Sequence, residues 1–124
     1  MKKIIYSPGE PSGIGPDLII KLSSSKLWED LKIPIVSIGD PKLFIDRAAL
    51  LKKKIKIIEL ESLNEVSKNT KGLIQIIKVT KCSNTRPGKL SKSNAQYVLD
   101  NLTYSIKQTM QNEGTALVTG PLSK

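Results

Sequence analysis

Few side chains in this sequence are equipped for chemistry. There is no histidine and one cysteine, Cys82, in the setting Thr80-Lys-Cys-Ser-Asn84. Proton transfer by imidazole is therefore excluded, and the thiol has no base beside it, Lys81 being the one neighbour able to lower its pKa. The carboxylates stand singly, so no set of residues has the spacing of a transition-metal site, and neither a catalytic residue nor a metal ligand is assigned. What remains is a pattern suited to anions, Ser7-Pro-Gly-Glu-Pro-Ser-Gly-Ile-Gly-Pro-Asp17. Here the backbone N–H groups of Gly13 to Asp17 open a helix, where orphan donors and the positive end of the helix dipole favour a phosphate or carboxylate. Gly13 and Gly15 are accordingly candidate substrate- or anion-binding residues. Their spacing with Gly9 matches neither G-x-G-x-x-G nor the P-loop, so cofactor-binding residues are left unassigned. A second reading stays open, in which the glycines serve the geometry of a strand-to-helix turn and nothing else.

The elements that must hold this loop can be read from the apolar pattern. Ile4, Ile5 and Tyr6 suit a buried strand, and Pro16 suits the first position of a helix whose inner face is Leu18, Ile19 and Leu22 and which fades through Ser23 to Ser25. Lys26 to Asp30 holds a further helical turn. Ile33 to Gly39 reads as a second strand, continuous enough to be parallel and covered on both faces, with Pro34 tolerated near its start. Asp40-Pro41 caps another helix with Leu43, Phe44, Ala48 and Leu51 inward. An acid at the end of a second strand is also where a dinucleotide fold holds a ribose hydroxyl, but capping already gives Asp40 a complete role. Lys54 to Glu59 and Leu73 to Lys78 read as strands, separated by a polar connection over Ser62 to Gly72.

Val79 to Leu90 reads as a loop in which Arg86 and Lys89 either face an anion or sit in solvent. From Ser91 a long helix is marked by Ala95, Val98, Leu99, Leu102, Ile106 and Met110 until Asn112-Glu-Gly114 stops it, with Tyr97 and Tyr104 flanking as packing residues. Thr115 to Thr119 is a short strand that turns at Gly120-Pro121. In an open α/β sheet, ligands sit beyond the carboxyl ends of the strands, so this turn and the Gly9 to Asp17 loop share one end. Lys124 is the third anion-binding candidate on that ground, with a solvated terminal lysine as the competing reading.

The chain's 124 residues suffice for one domain, and strands alternating with helices imply a three-layer α/β/α architecture. Its net charge of +9 is spread through every segment, the one run being Lys52 to Lys54, and Trp28 has no basic or aromatic partners, so no nucleic-acid platform is expected. Ser7-Pro8 ends the opening apolar run far short of a signal segment, and no stretch approaches a membrane span. A cytoplasmic protein with no membrane partner is expected.

Pro8-Gly-Glu-Pro-Ser-Gly-Ile-Gly-Pro-Asp17, Asp46-Arg-Ala-Ala-Leu50 and Ala116-Leu-Val-Thr-Gly-Pro-Leu-Ser-Lys124 together resemble the 4-hydroxythreonine-4-phosphate dehydrogenase family of pyridoxal phosphate biosynthesis. The resemblance implies an incomplete first domain similar to that of isocitrate and isopropylmalate dehydrogenases, with residues 1–124 as its amino-terminal portion. It also implies NAD-dependent oxidation of 4-phosphohydroxy-L-threonine to a 2-amino-3-oxo acid that decarboxylates, with a divalent metal (zinc, magnesium or cobalt) held in a homodimer. The family's metal-binding histidines and its substrate-contacting His-Thr pair belong to segments beyond T-G-P-x-x-K, and this chain carries Ser123 where many relatives have histidine. The portion alone is therefore expected to be inactive and to bind neither cofactor tightly. The alternatives are a basic α/β module that binds nucleic acid or another anionic partner, and a non-catalytic remnant.

Overall fold

The structure, a computed structural model, describes residues 2–80, 82 and 94–120. Lys124, Arg86, Lys89, the Pro87-Gly88 turn, Pro121 and the expected helix start at Ser91 lie outside the described residues.

The elements are β1 (Lys3–Ser7), α1 (Gly15–Ser23), α2 (Leu27–Asp30), β2 (Ile35–Ile38), α3 (Pro41–Leu50), β3 (Lys56–Leu60), a 3-10 turn (Leu63–Glu65), β4 (Leu73–Ile77), α4 (Ala95–Gln111) and β5 (Thr115–Thr119). Their five strands form one sheet in the order β3-β4-β2-β1-β5, and every pairing is parallel. Parallel strands need helical crossovers that cover the sheet, which is why β2 and most of β4 are apolar and buried along their length. One face carries Tyr6, Ile35, Ile74 and Ile76 against Ile19 and Ile20 of α1, Trp28 of α2 and Leu43, Phe44 and Ala48 of α3. The opposite face carries Ile5, Val36, Ile38, Leu60 and Ile77 against Leu63, Val66 and, from α4, Tyr104. This is the expected three-layer α/β/α arrangement.

Pro34 lies just outside β2, where its carbonyl accepts from the Ile4 amide at 2.9 Å. Its ring thus enters no ladder. Buried Asn69 closes the entry to the same strand, accepting from the Ile35 amide at 3.0 Å and donating to the carbonyls of Leu31 and Ile33 at 3.1 and 3.0 Å.

Two expectations about which face is buried are corrected. On α1 the buried pair is Ile19 and Ile20, and Leu18 is 48% exposed. On α4 the residues pressed inward are Tyr97, Asn101 and Ser105, whereas Leu99, Ile106 and Met110 are 55%, 44% and 82% exposed. Small Ser105 lets the helix approach the sheet closely, and its hydroxyl is satisfied within the helix by the Asn101 carbonyl at 2.7 Å. Helical period shows that an apolar stripe exists, not that the sheet is what it meets.

Candidate functional site

β1 lies between β2 and β5, so the chain leaves β1 in one direction and returns on its other side. This reversal is the topological switch point, the place where open α/β sheets form a crevice. Ser7 is in register with Thr119, and the Gly120 amide extends the ladder by donating to the Ser7 carbonyl at 2.7 Å. The loop that follows β1 and Gly120 at the end of β5 are therefore adjacent.

Between β1 and α1 the chain turns at Gly9, whose φ of 84° is open to few other residues, and closes a second turn from the Gly13 amide to the Glu10 carbonyl at 3.0 Å. The Ser12 hydroxyl donates to Glu10 Oε1 at 3.1 Å. Gly13 and Gly15 have no comparable φ. Gly15 is required for proximity instead, because a Cβ there would overlap the Pro8 carbonyl oxygen, and a Cβ at Gly120 would strike the same atom from the other strand end. Gly13 is less confined, with the Glu10 carbonyl oxygen 3.3 Å from the position of a Cβ. The buried Tyr6 hydroxyl donates to the Gly15 carbonyl at 2.9 Å and ties the first turn of α1 to β1.

The strongest contacts to this loop come from Arg47 on α3, which is 3% exposed. Its Nη1 donates to Asp17 Oδ1 at 2.7 Å and to the Gly13 carbonyl at 3.0 Å, while Nη2 donates to the Pro11 carbonyl at 2.6 Å. Sequence reasoning named Arg47 only inside the Asp46 to Leu50 stretch. A signal was present, since positions 43, 44, 47, 48 and 51 form one helical stripe and a lone arginine among apolar residues asks for buried acceptors.

Asp40 caps α3 as expected, its Oδ1 accepting from the Lys42 amide at 3.1 Å. Its Oδ2 accepts from the Cys82 amide at 2.9 Å, and its own amide donates to the Tyr97 hydroxyl at 2.9 Å. Burial, then the negative charges of Asp40 and Glu10, push the Cys82 thiol up to about 11, against a smaller lowering by Arg47. Such a thiol is protonated at neutral pH and is no nucleophile. Burial also raises the Tyr97 phenol well above its usual range.

Among the described residues no site for the divalent metal that the resemblance implies is assembled. For a divalent metal, histidine is missing from the sequence, and among the described residues no three Cys, Asp or Glu side chains come together. The ribose reading of Asp40 is not supported either, because the residue is 5% exposed and its side chain is already engaged by the amides of Lys42 and Cys82. No helix among the described residues is long and apolar enough to cross a membrane.

Residues 30–124 match the family model described as pyridoxal phosphate biosynthetic protein PdxA. The chain belongs to this family. Among curated relatives, the 4-hydroxythreonine-4-phosphate dehydrogenase of Citrobacter koseri is 32% identical over 124 residues, covering 100% of this chain and 36% of the relative. That of Shewanella frigidimarina is 34% identical over 123 residues, covering 99% of this chain and 36% of its own length. The chain thus spans little more than a third of the PdxA relatives it matches. Crystal structures of 4-hydroxythreonine-4-phosphate dehydrogenases from Klebsiella pneumoniae and Burkholderia phymatum each superpose with a TM-score of 0.86, at 24% and 19% identity, over all of this chain and 38% and 37% of theirs. They share its fold. Within this chain, the loop after β1 and the end of β5 adjoin at one end of the sheet, and Arg47 and Tyr6 brace the loop.

Proposed function

We propose that this chain forms the amino-terminal portion of the first domain of an NAD-dependent 4-hydroxythreonine-4-phosphate dehydrogenase, a cytoplasmic enzyme of pyridoxal phosphate biosynthesis. The observation that carries the reading is the meeting of Gly15 and Gly120 on the Pro8 carbonyl, which places the glycine-rich loop and the end of β5 side by side at the switch point. The substrate is a phosphorylated hydroxy amino acid. Backbone donors of the segment from Gly13 to Asp17, apart from the Gly13 amide that is already bonded to the Glu10 carbonyl, hold its phosphate or carboxylate together with Lys124. The reaction is oxidation of the hydroxyl followed by loss of carbon dioxide. NAD and a divalent metal supply hydride acceptance and charge stabilisation in the whole homodimeric enzyme, and neither is held by the side chains described above. This chain's own share is to bind and orient: a preset loop lowers the entropic cost of placing the substrate.

A nucleic-acid role is not proposed, because the lysines are dispersed and the sole tryptophan is buried in the core. The test joins residues 1–124 to the part of the Citrobacter koseri relative that follows its matching segment, and assays the fusion with NAD, divalent metal and 4-phosphohydroxy-L-threonine. NADH production by the fusion, with none from the 124-residue chain alone, is expected. A folded fusion without turnover, or turnover by the chain alone, would overturn the reading.

A further inference from the structure

Arg47 lies on the inward stripe of α3 beside Leu43, Phe44 and Ala48, a position where an apolar side chain would avoid the cost of burying charge. Its guanidinium acceptors are the Pro11 carbonyl, the Gly13 carbonyl and the Asp17 carboxylate, at 2.6, 3.0 and 2.7 Å. All three belong to the segment running from the loop into α1. A planar fork of donors suits such divergent acceptors, whereas an ammonium would satisfy fewer of them at once.

We propose that Arg47 is the positioning residue of the loop after β1, setting its conformation without itself contacting substrate. Peptide C=O and N–H groups point in opposite directions across a trans bond, so drawing the Gly13 carbonyl onto Arg47 turns the Ile14 amide away from α3. The same bond holds the turn in which Gly13 donates to the Glu10 carbonyl. Asp17, 23% exposed, neutralises the guanidinium from the first turn of α1, so its charge is spent within the fold rather than offered to a ligand. The assignment of Arg47 rests on the proposed function only for what the loop binds, not for what holds it.

The test is backbone amide exchange in the full 124-residue chain, comparing wild type with Arg47→Ala, Arg47→Lys and Asp17→Asn. In Arg47→Ala, exchange at the hydrogen-bonded amides of Ser12, Gly13 and Leu18 should rise about tenfold or more, while the core amides of Val36 and Ile76 change by less than about threefold. Millimolar methylguanidinium should restore the loop's protection and methylammonium should not, because only the former reproduces the fork. Arg47→Lys and Asp17→Asn should loosen the same residues to a smaller degree, and they decide the matter in the same way if Arg47→Ala does not fold. Loosening spread evenly through the sheet, unchanged loop exchange, or equal rescue by the two cations would overturn the proposal. In the dehydrogenase fusion, Arg47→Lys should raise KM more than it lowers kcat, as expected of a group that shapes a binding wall. An inactive wild-type fusion would count against the functional reading alone, since the exchange data decide Arg47 independently.

Discussion

The Pro8 carbonyl oxygen occupies the space that a Cβ on Gly15 would need, whereas the nearest atom to a Cβ on Gly13 is the Glu10 carbonyl oxygen at 3.3 Å. Gly15→Ala should accordingly cost about 3 kcal/mol or more, because backbone must move, and Gly13→Ala about 1 kcal/mol or less. Urea unfolding of the two variants checks the order, and equal losses would contradict it.

Tyr97→Phe removes the acceptor of the buried Asp40 amide while leaving the ring in place. An orphaned buried N–H costs about 1–3 kcal/mol, so thermal unfolding should fall by that amount. The weakening should be concentrated at the start of α3, which amide exchange at Lys42 and Leu43 can report.

The Cys82 thiol, pushed up to about 11 from an ordinary 9.0, favours the protonated form in the folded state. Its contribution to stability is therefore complete below pH 9 and is lost as pH rises from 9 to about 11. At pH 8, alkylation of native protein by iodoacetamide should be about 100-fold slower than that of the urea-unfolded chain, from the thiolate fraction alone. Equal rates would show that the thiol is not shifted.

With Leu99, Ile106 and Met110 exposed along one side of α4, the chain presents an apolar stripe to solvent. Self-association at high concentration is expected, and Leu99→Lys with Met110→Lys should reduce it with little effect on stability. Sedimentation velocity of wild type and double variant distinguishes the outcomes. A strictly monomeric wild type would contradict the expectation.

Zinc titration of the chain by calorimetry should give no stoichiometric binding tighter than about micromolar, because imidazole is missing and the described thiol and carboxylates do not converge. A tight one-to-one isotherm would overturn this.

What the sequence determined by itself was local. Asp40-Pro41 announced a capped helix because an N-cap carboxylate acts on amides two residues away, and the structure shows that bond to Lys42. The apolar run of β2 and the punctuation of the loop from Gly9 to Pro16 were legible for the same reason, since they express preferences of single residues and near neighbours. The existence of α4 was equally plain from its period. Its orientation was not, because Leu99, Ile106 and Met110 of that stripe face solvent while Tyr97, Asn101 and Ser105 meet the fold. Nor could spacing show that Arg47 closes on Pro11, Gly13 and Asp17, 36, 34 and 30 positions away, or that Gly15 and Gly120 share the Pro8 carbonyl. Those relationships were decided when the parallel sheet set β5 beside β1 and packed α3 under the loop. Side-chain preference acts over a few residues, whereas the choice of which distant acceptor a buried charge meets depends on where the packed layers bring the chain together.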